Sequence, residues 1–352
     1  GQHETSSRAA PRARRGGARA VVGAPGPAGG GVAHAGRGQK VVVRSGVLYA
    51  AQFRSQLLLR NSPTPHPRRA DVKWLEGAGA RVVLLPYHAS DADVDELFGQ
   101  VNGALFPGGG SDVPAAAKRM YANAVAANAA GDFFPIWGTC DGFEWLMQIA
   151  ANDDQVLDSP FDSENITLPL NLTAAAATST LLADANVTPV VGAPGARPIV
   201  SVLDAAQAQA VNMHNHQQGI EPATFAASDA SKVFKSLATN VDRKGRPFVS
   251  VVEGHTLPFY ATQFHPEKPL YEWGVQGDGR PYEVIAHSPA AVATSQYFAN
   301  FFVGQCRKSA HEFDDGSDLW KRLVYHSTTS TAAAPGFVQV YTASGGAARA
   351  VD

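Results

Sequence analysis

Cysteine is nearly missing from these 352 residues: there are two, Cys140 and Cys306. A disulfide framework is excluded by that count. A bridge between the two would consume the only promising nucleophile, so both are expected as thiols. An excess of charge is missing as well, since 29 Lys and Arg against 31 Asp and Glu leave a formal −2. That balance removes the electrostatic argument for nucleic acid or an anionic membrane as partner. The basic tract Arg12, Arg14, Arg15 has no aromatic residues interleaved, so it does not read as a nucleic-acid arm. No apolar run reaches the 18 or so residues a spanning helix needs, and no internal repeat is visible.

What is present is a core. Hydrophobic residues make up 45% of the chain, enough for one large α/β domain or two smaller ones. Residues 1–40, rich in Ala, Gly, Arg and Pro, lack periodicity and read as a disordered or leader-like segment. A catalytic domain is expected over residues 41–312 and a C-terminal tail over 313–352. Val41–Val43 reads as a short strand and residues 61–69, with Pro63, Pro65 and Pro67, as loop. Three acceptor triplets for N-glycosylation start at Asn165, Asn171 and Asn186, which point toward a secretory compartment. No signal peptide is visible in a chain that opens on Gly1.

From Asp71 the alternation becomes regular. Val72, Leu75 and Gly79 lie on a short helix, and Arg81–Leu85 is an apolar strand stopped by Pro86. Ser90 and Asp93 form a capping box for a helix through Leu97 and Phe98. Gly103–Phe106 is a buried strand closed by Pro107-Gly108-Gly109-Gly110. Ala115–Ala130 is helical, Phe134–Trp137 a strand, Phe143–Ala150 a helix. Val249–Val252 and Phe259–Phe264 are further strands joined near Glu253-Gly254-His255, and Ser288 caps a long helix through Phe302. Strands alternating with helices imply a mostly parallel sheet covered on both faces, a three-layer α/β/α sandwich.

Chemistry concentrates at three places. Gly138-Thr139-Cys140-Asp141-Gly142 sits between a strand and a helix. That context resembles the tight nucleophile elbow, with sulfur in place of oxygen. Glycine is wanted on both sides because neighbours two positions away crowd the turn. The helix N-terminus offers its dipole to a thiolate, and the Asp141 amide is placed for an oxyanion. Gln263-Phe264-His265-Pro266-Glu267 ends a strand. Extended backbone would turn His265 and Glu267 to one side, carboxylate on imidazole, leaving the other ring nitrogen for the thiol. The glycines Gly108 and Gly109 let backbone approach a ligand closely and aim an amide at developing charge.

Together these motifs resemble the class I glutamine amidotransferase superfamily, which has a flavodoxin-like sheet. The longer runs Ala104–Gly109, Phe134–Glu144, Gln263–Trp273, Ala286–Pro289 and Gln296–Phe302 resemble, more narrowly, the gamma-glutamyl hydrolase family. The Tyr271-Glu272-Trp273 extension separates that family from ordinary amidotransferases. The resemblance covers roughly residues 70–310. Residues 41–69 carry none of the family's opening strand and are expected to be atypical.

The resemblance implies a Cys140 nucleophile, His265 as base and Glu267 as its orienter. Gly108, Gly109, Asp141, Glu144, His216 and Gln263 are implied on the substrate side. His214 competes with His216 for the second family histidine. The implied reaction is cleavage of gamma-linked glutamate from folylpoly-gamma-glutamate by way of a thioester, with neither cofactor nor metal. The implied setting is a vacuole, a lysosome or the extracellular space, and a homodimer is compatible. Two other functions stay open: a glutaminase subunit feeding ammonia to a synthetase, and a non-catalytic folate-polyglutamate binding protein.

Overall fold

The five strands that begin the central sheet run in the order of a doubly wound domain. A computed structural model describes residues 46–51, 69–190, 201–313, 322–330 and 338–342, and all statements below concern these. The first half reads β1 (Gly46–Ala51), α1 (Arg69–Gly77), β2 (Arg81–Pro86), α2 (Asp91–Phe98), β3 (Gly103–Phe106), α3 (Ala115–Ala129), β4 (Ile136–Thr139) and α4 (Asp141–Ala151). A middle region follows: β5 (Ser163–Leu168), β6 (Asn171–Leu172), α5 (Thr180–Ala183), α6 (Val202–Ala208) and β7 (Asn212–His216). The last part holds α7 (Pro222–Ala227), α8 (Ala230–Val233), β8 (Phe234–Val241), β9 (Pro247–Gly254), β10 (Phe259–Thr262), α9 (Lys268–Tyr271) and α10 (Pro289–Cys306). A two-stranded ribbon, β11 (Thr328–Ser330) with β12 (Val340–Thr342), comes last.

The sheet order is β2-β1-β3-β4-β10-β9-β8-β6. The first five strands are parallel, and β9, β8 and β6 are added antiparallel. This is the flavodoxin-like order, in which ligand sites form beyond the carboxyl ends of the strands. Period-two alternation assigns side chains to the two faces. Leu105, Trp137 and Tyr260 join one core with Trp74, Phe298 and Phe302. Phe106, Ile136 and Phe259 join the other with Phe134, Phe143 and Trp145.

Most sequence-derived elements appear within a residue or two. The Ser90–Asp93 capping box closes in both directions, and Ser288 Oγ accepts from the Ala291 amide at 3.2 Å to start α10. Three details differ. The strand expected at Phe134 begins at Ile136, because the Asn128 side chain already engages both the amide and the carbonyl of Phe134. Gly79 lies beyond α1 with φ +87°, where it closes the helix rather than extending it. A strand in the atypical region lies at Gly46–Ala51, between β2 and β3; Val41–Val43 and residues 61–68 fall outside the described residues. Beyond Phe313, Leu323, Val324, Val340 and Tyr341 are buried. Asn165, Asn171 and Asn186 are all exposed. Among the described residues no helix is long and apolar enough to cross a membrane.

Candidate active site

Cys140 is the hinge between β4 and α4. Its backbone has φ 52° and ψ −104°, a conformation costly for any residue with a Cβ and found mainly where surrounding contacts enforce it. Those contacts are visible. The Cys140 amide donates to the Thr262 carbonyl at 2.8 Å, and its own carbonyl accepts from Glu144 N at 3.0 Å to begin α4. A Cβ on Gly138 would lie 2.5 Å from the Gly142 carbonyl oxygen, and one on Gly142 would lie 2.0 Å from that of Phe106. Both flanking glycines are therefore required by close backbone approach. Cys140 is 5% exposed and caps the positive end of the α4 dipole, where an anion is favoured.

The glycine loop after β3 is tied to the same helix. Gly142 N donates to the Pro107 carbonyl at 3.0 Å. The Asp141 carboxylate accepts from the amides of Gly110 at 2.9 Å and Ser111 at 3.1 Å. Trp145 Nε1 donates to the Ser111 carbonyl. Asp141 thus holds the loop carrying Gly108 and Gly109 against the start of α4 through its side chain.

β10 lies beside β4 in parallel register, Thr262 opposite Thr139, so the residues after each strand emerge at one edge. His265 follows there. Its Nδ1 and Glu267 Oε1 are 2.7 Å apart, with both side chains 2% exposed. The pair forms, but not on an extended strand as the i, i+2 reading expected. β10 ends at Thr262, and Glu267 adopts φ −75°, ψ −26° at the start of α9. A strand-to-helix turn brings the groups together. Three bonds fix it: Thr262 Oγ1 to the Phe264 carbonyl, His265 N to the Met213 carbonyl of β7 at 2.8 Å, and Ser295 Oγ to the Pro266 carbonyl.

Glu144 and Gln263 also meet, Gln263 Nε2 donating to Glu144 Oε1 at 2.9 Å. Burial first, and the nearby Asp141 charge second, push the Glu144 carboxyl up to about 8, against the pull of the Gln263 bond. The histidines of β7 form a second buried pair. His214 Nδ1 lies 3.2 Å from His216 Nε2, and His216 Nδ1 lies 2.6 Å from the Gln218 carbonyl oxygen. Burial holds both rings below the ordinary imidazole range, His216 at about 4.

The Glutamine amidotransferase class-I family matches residues 72–276. "Gamma-glutamyl hydrolase B" of Dictyostelium discoideum is 34% identical over 72% of this chain and 70% of its own length. The human "Gamma-glutamyl hydrolase" is 34% identical over 77% of this chain and 80% of its own. "Gamma-glutamyl hydrolase 1" of Arabidopsis thaliana is 29% identical over 77% and 73%. The chain belongs to the gamma-glutamyl hydrolase family.

Within the family frame, the Tyr271-Glu272-Trp273 run sits just past the His265–Glu267 turn. Glu272 Oε2 accepts from Val338 N at 2.9 Å, and Trp273, 61% exposed, stacks on His287 with ring centroids 3.6 Å apart. Sequence reasoning missed Ser295 and Met213, which reach the turn from α10 and β7. No local signal marks a hydroxyl or a carbonyl that meets its partner only across the fold. Cys306, by contrast, is a core residue: it is buried against Gly103, and burial pushes its thiol upward.

Proposed function

We propose that this chain is a cysteine hydrolase that cleaves the gamma-glutamyl bonds of folylpoly-gamma-glutamates through Cys140, His265 and Glu267. The observation that carries the reading is the buried 2.7 Å His265–Glu267 pair at the edge where the strained Cys140 turn ends the neighbouring strand. The relatives' names supply the acyl group. Glu267 holds His265 with its Nδ1 proton inward, leaving Nε2 for the sulfur. His265 Nε2 takes the thiol proton as Cys140 attacks the gamma-carbonyl, and the oxyanion falls toward the Asp141 amide and the Gly108–Gly109 loop. His265 gives the proton to the leaving amine, and water then hydrolyses the thioester with His265 as base. Product analysis on a folate pentaglutamate is the test. Wild type shortens the chain and Cys140→Ala loses at least about 1,000-fold in kcat. Undiminished cleavage by Cys140→Ala would remove the assignment.

A further inference from the structure

Beside the triad the fold buries a cation that the chemistry does not use. Lys268 follows Glu267 directly, opens α9 and is 1% exposed. A buried ammonium is costly unless a counter-charge meets it. Glu283 does so, its Oε1 lying 2.5 Å from Lys268 Nζ. The same oxygen accepts from Asn215 Nδ2 at 2.8 Å. Asn215 is exposed and lies between His214 and His216 on β7. Alternation along the strand turns its side chain to the opposite side from those two rings.

Glu283 is itself aimed. The next residue, Val284, is held to β5 by both of its backbone groups: its amide donates to Asn165 Oδ1 at 2.6 Å, and its carbonyl accepts from Thr167 Oγ1. β5 pairs with β7, so one frame carries both Asn215 and the clamp on Val284. The His265–Glu267 turn is thereby pinned to β7 at both ends. At its start His265 N reaches the Met213 carbonyl, and at its end Lys268 reaches Asn215 through Glu283. Released at the second end, the start of α9 can swing and carry the Glu267 carboxylate off His265 Nδ1. Stability alone is a weak reason for the pair, because apolar replacement of a buried ion pair is often neutral.

We propose that Glu283 is a positioning residue of the reaction: it braces α9 against β7 through Lys268 and Asn215 and so keeps Glu267 on His265. This rests on the Cys140–His265–Glu267 reading above. Loss of the brace loosens the base rather than a binding contact, so it is read in kcat and not in KM.

Asn215 and Lys268 both bond to Glu283, which allows a double-mutant cycle in the full chain. Asn215→Ala breaks the brace at β7 by changing an exposed residue, and Lys268→Met breaks it at α9. On folate pentaglutamate each is expected to lower kcat about fivefold with KM within about twofold, and the two together to lower it no more than about tenfold, against about 25-fold for independent sites. A second readout needs no turnover. Iodoacetamide alkylates Cys140 as the thiolate, which His265 generates. Its rate near pH 6 should fall in the same variants, in the same non-additive pattern, with Cys140→Ala supplying the background from Cys306. Undiminished kcat and alkylation in a folded Asn215→Ala, whatever its urea midpoint, would make the brace merely structural and overturn the proposal, as would losses that multiply. A wild type that alkylates at Cys140 without cleaving the pentaglutamate removes the gamma-glutamyl reading instead, and the alkylation pattern then decides the brace by itself.

Discussion

At the residue scale the site is a set of groups kept in states they would not choose in water. Cys140 is held at positive φ by two backbone bonds and two flanking glycines. Replacing it with glycine should relieve that strain. Cys140→Gly is expected to be more stable than Cys140→Ala by about 1 kcal/mol while remaining inactive, read from urea midpoints. Equal midpoints would show the turn to be unstrained.

Glu144 is the other displaced group, its carboxyl raised from 4.5 to about 8 by burial. A carboxyl raised on folding holds its proton in the native state between those two values, where the unfolded chain has lost it. Its contribution is therefore complete below about pH 4.5 and is lost as pH rises through 8. Wild type should lose stability over that window by on the order of 1 kcal/mol per pH unit at most. Glu144→Gln should flatten the profile, and parallel profiles from urea titrations at pH 5 and 8 would contradict the buried neutral carboxyl.

At the element scale the site depends on connections that run across the sheet. α10 packs over one face and sends Ser295, 1% exposed, to the Pro266 carbonyl between His265 and Glu267. Ser295→Ala leaves that carbonyl without this donor. The expected cost is about 1–2 kcal/mol in stability, together with a several-fold fall in kcat at near-constant KM as the turn loosens. Steady-state kinetics beside a denaturation curve checks both, and a destabilised variant of undiminished kcat would show the turn held from β7 alone. The residues of this turn were legible in the sequence, but its geometry was not. Reading His265 and Glu267 as neighbours on one side of a strand reached the right pair by the wrong conformation, since β10 stops at Thr262 and Glu267 opens α9.

At the scale of the whole molecule, one sheet separates two cores. Leu75 belongs to one and Met120 to the other. Each truncation to alanine should cost about 2–5 kcal/mol. With no shared partners across the sheet, the pair should add to within about 0.5 kcal/mol in a double-mutant cycle. A larger coupling would mean that the cores respond as one.

The sequence by itself determined the strand–turn–helix around Cys140, because only glycine tolerates the backbone approaches at 138 and 142. It also determined the capped helices, whose signals lie within four residues. Local spacing carries such features whole. It could not place β1, whose residues Gly46–Ala51 take their meaning from the β2 and β3 ladders on either side. Nor could it show how the rings of His214 and His216 bond, though the resemblance put His216 on the substrate side. Two imidazoles two residues apart look equivalent in a string of letters. The Gln218 carbonyl, bonded to one ring and not the other, distinguishes them once β7 is folded against Phe264 and His265.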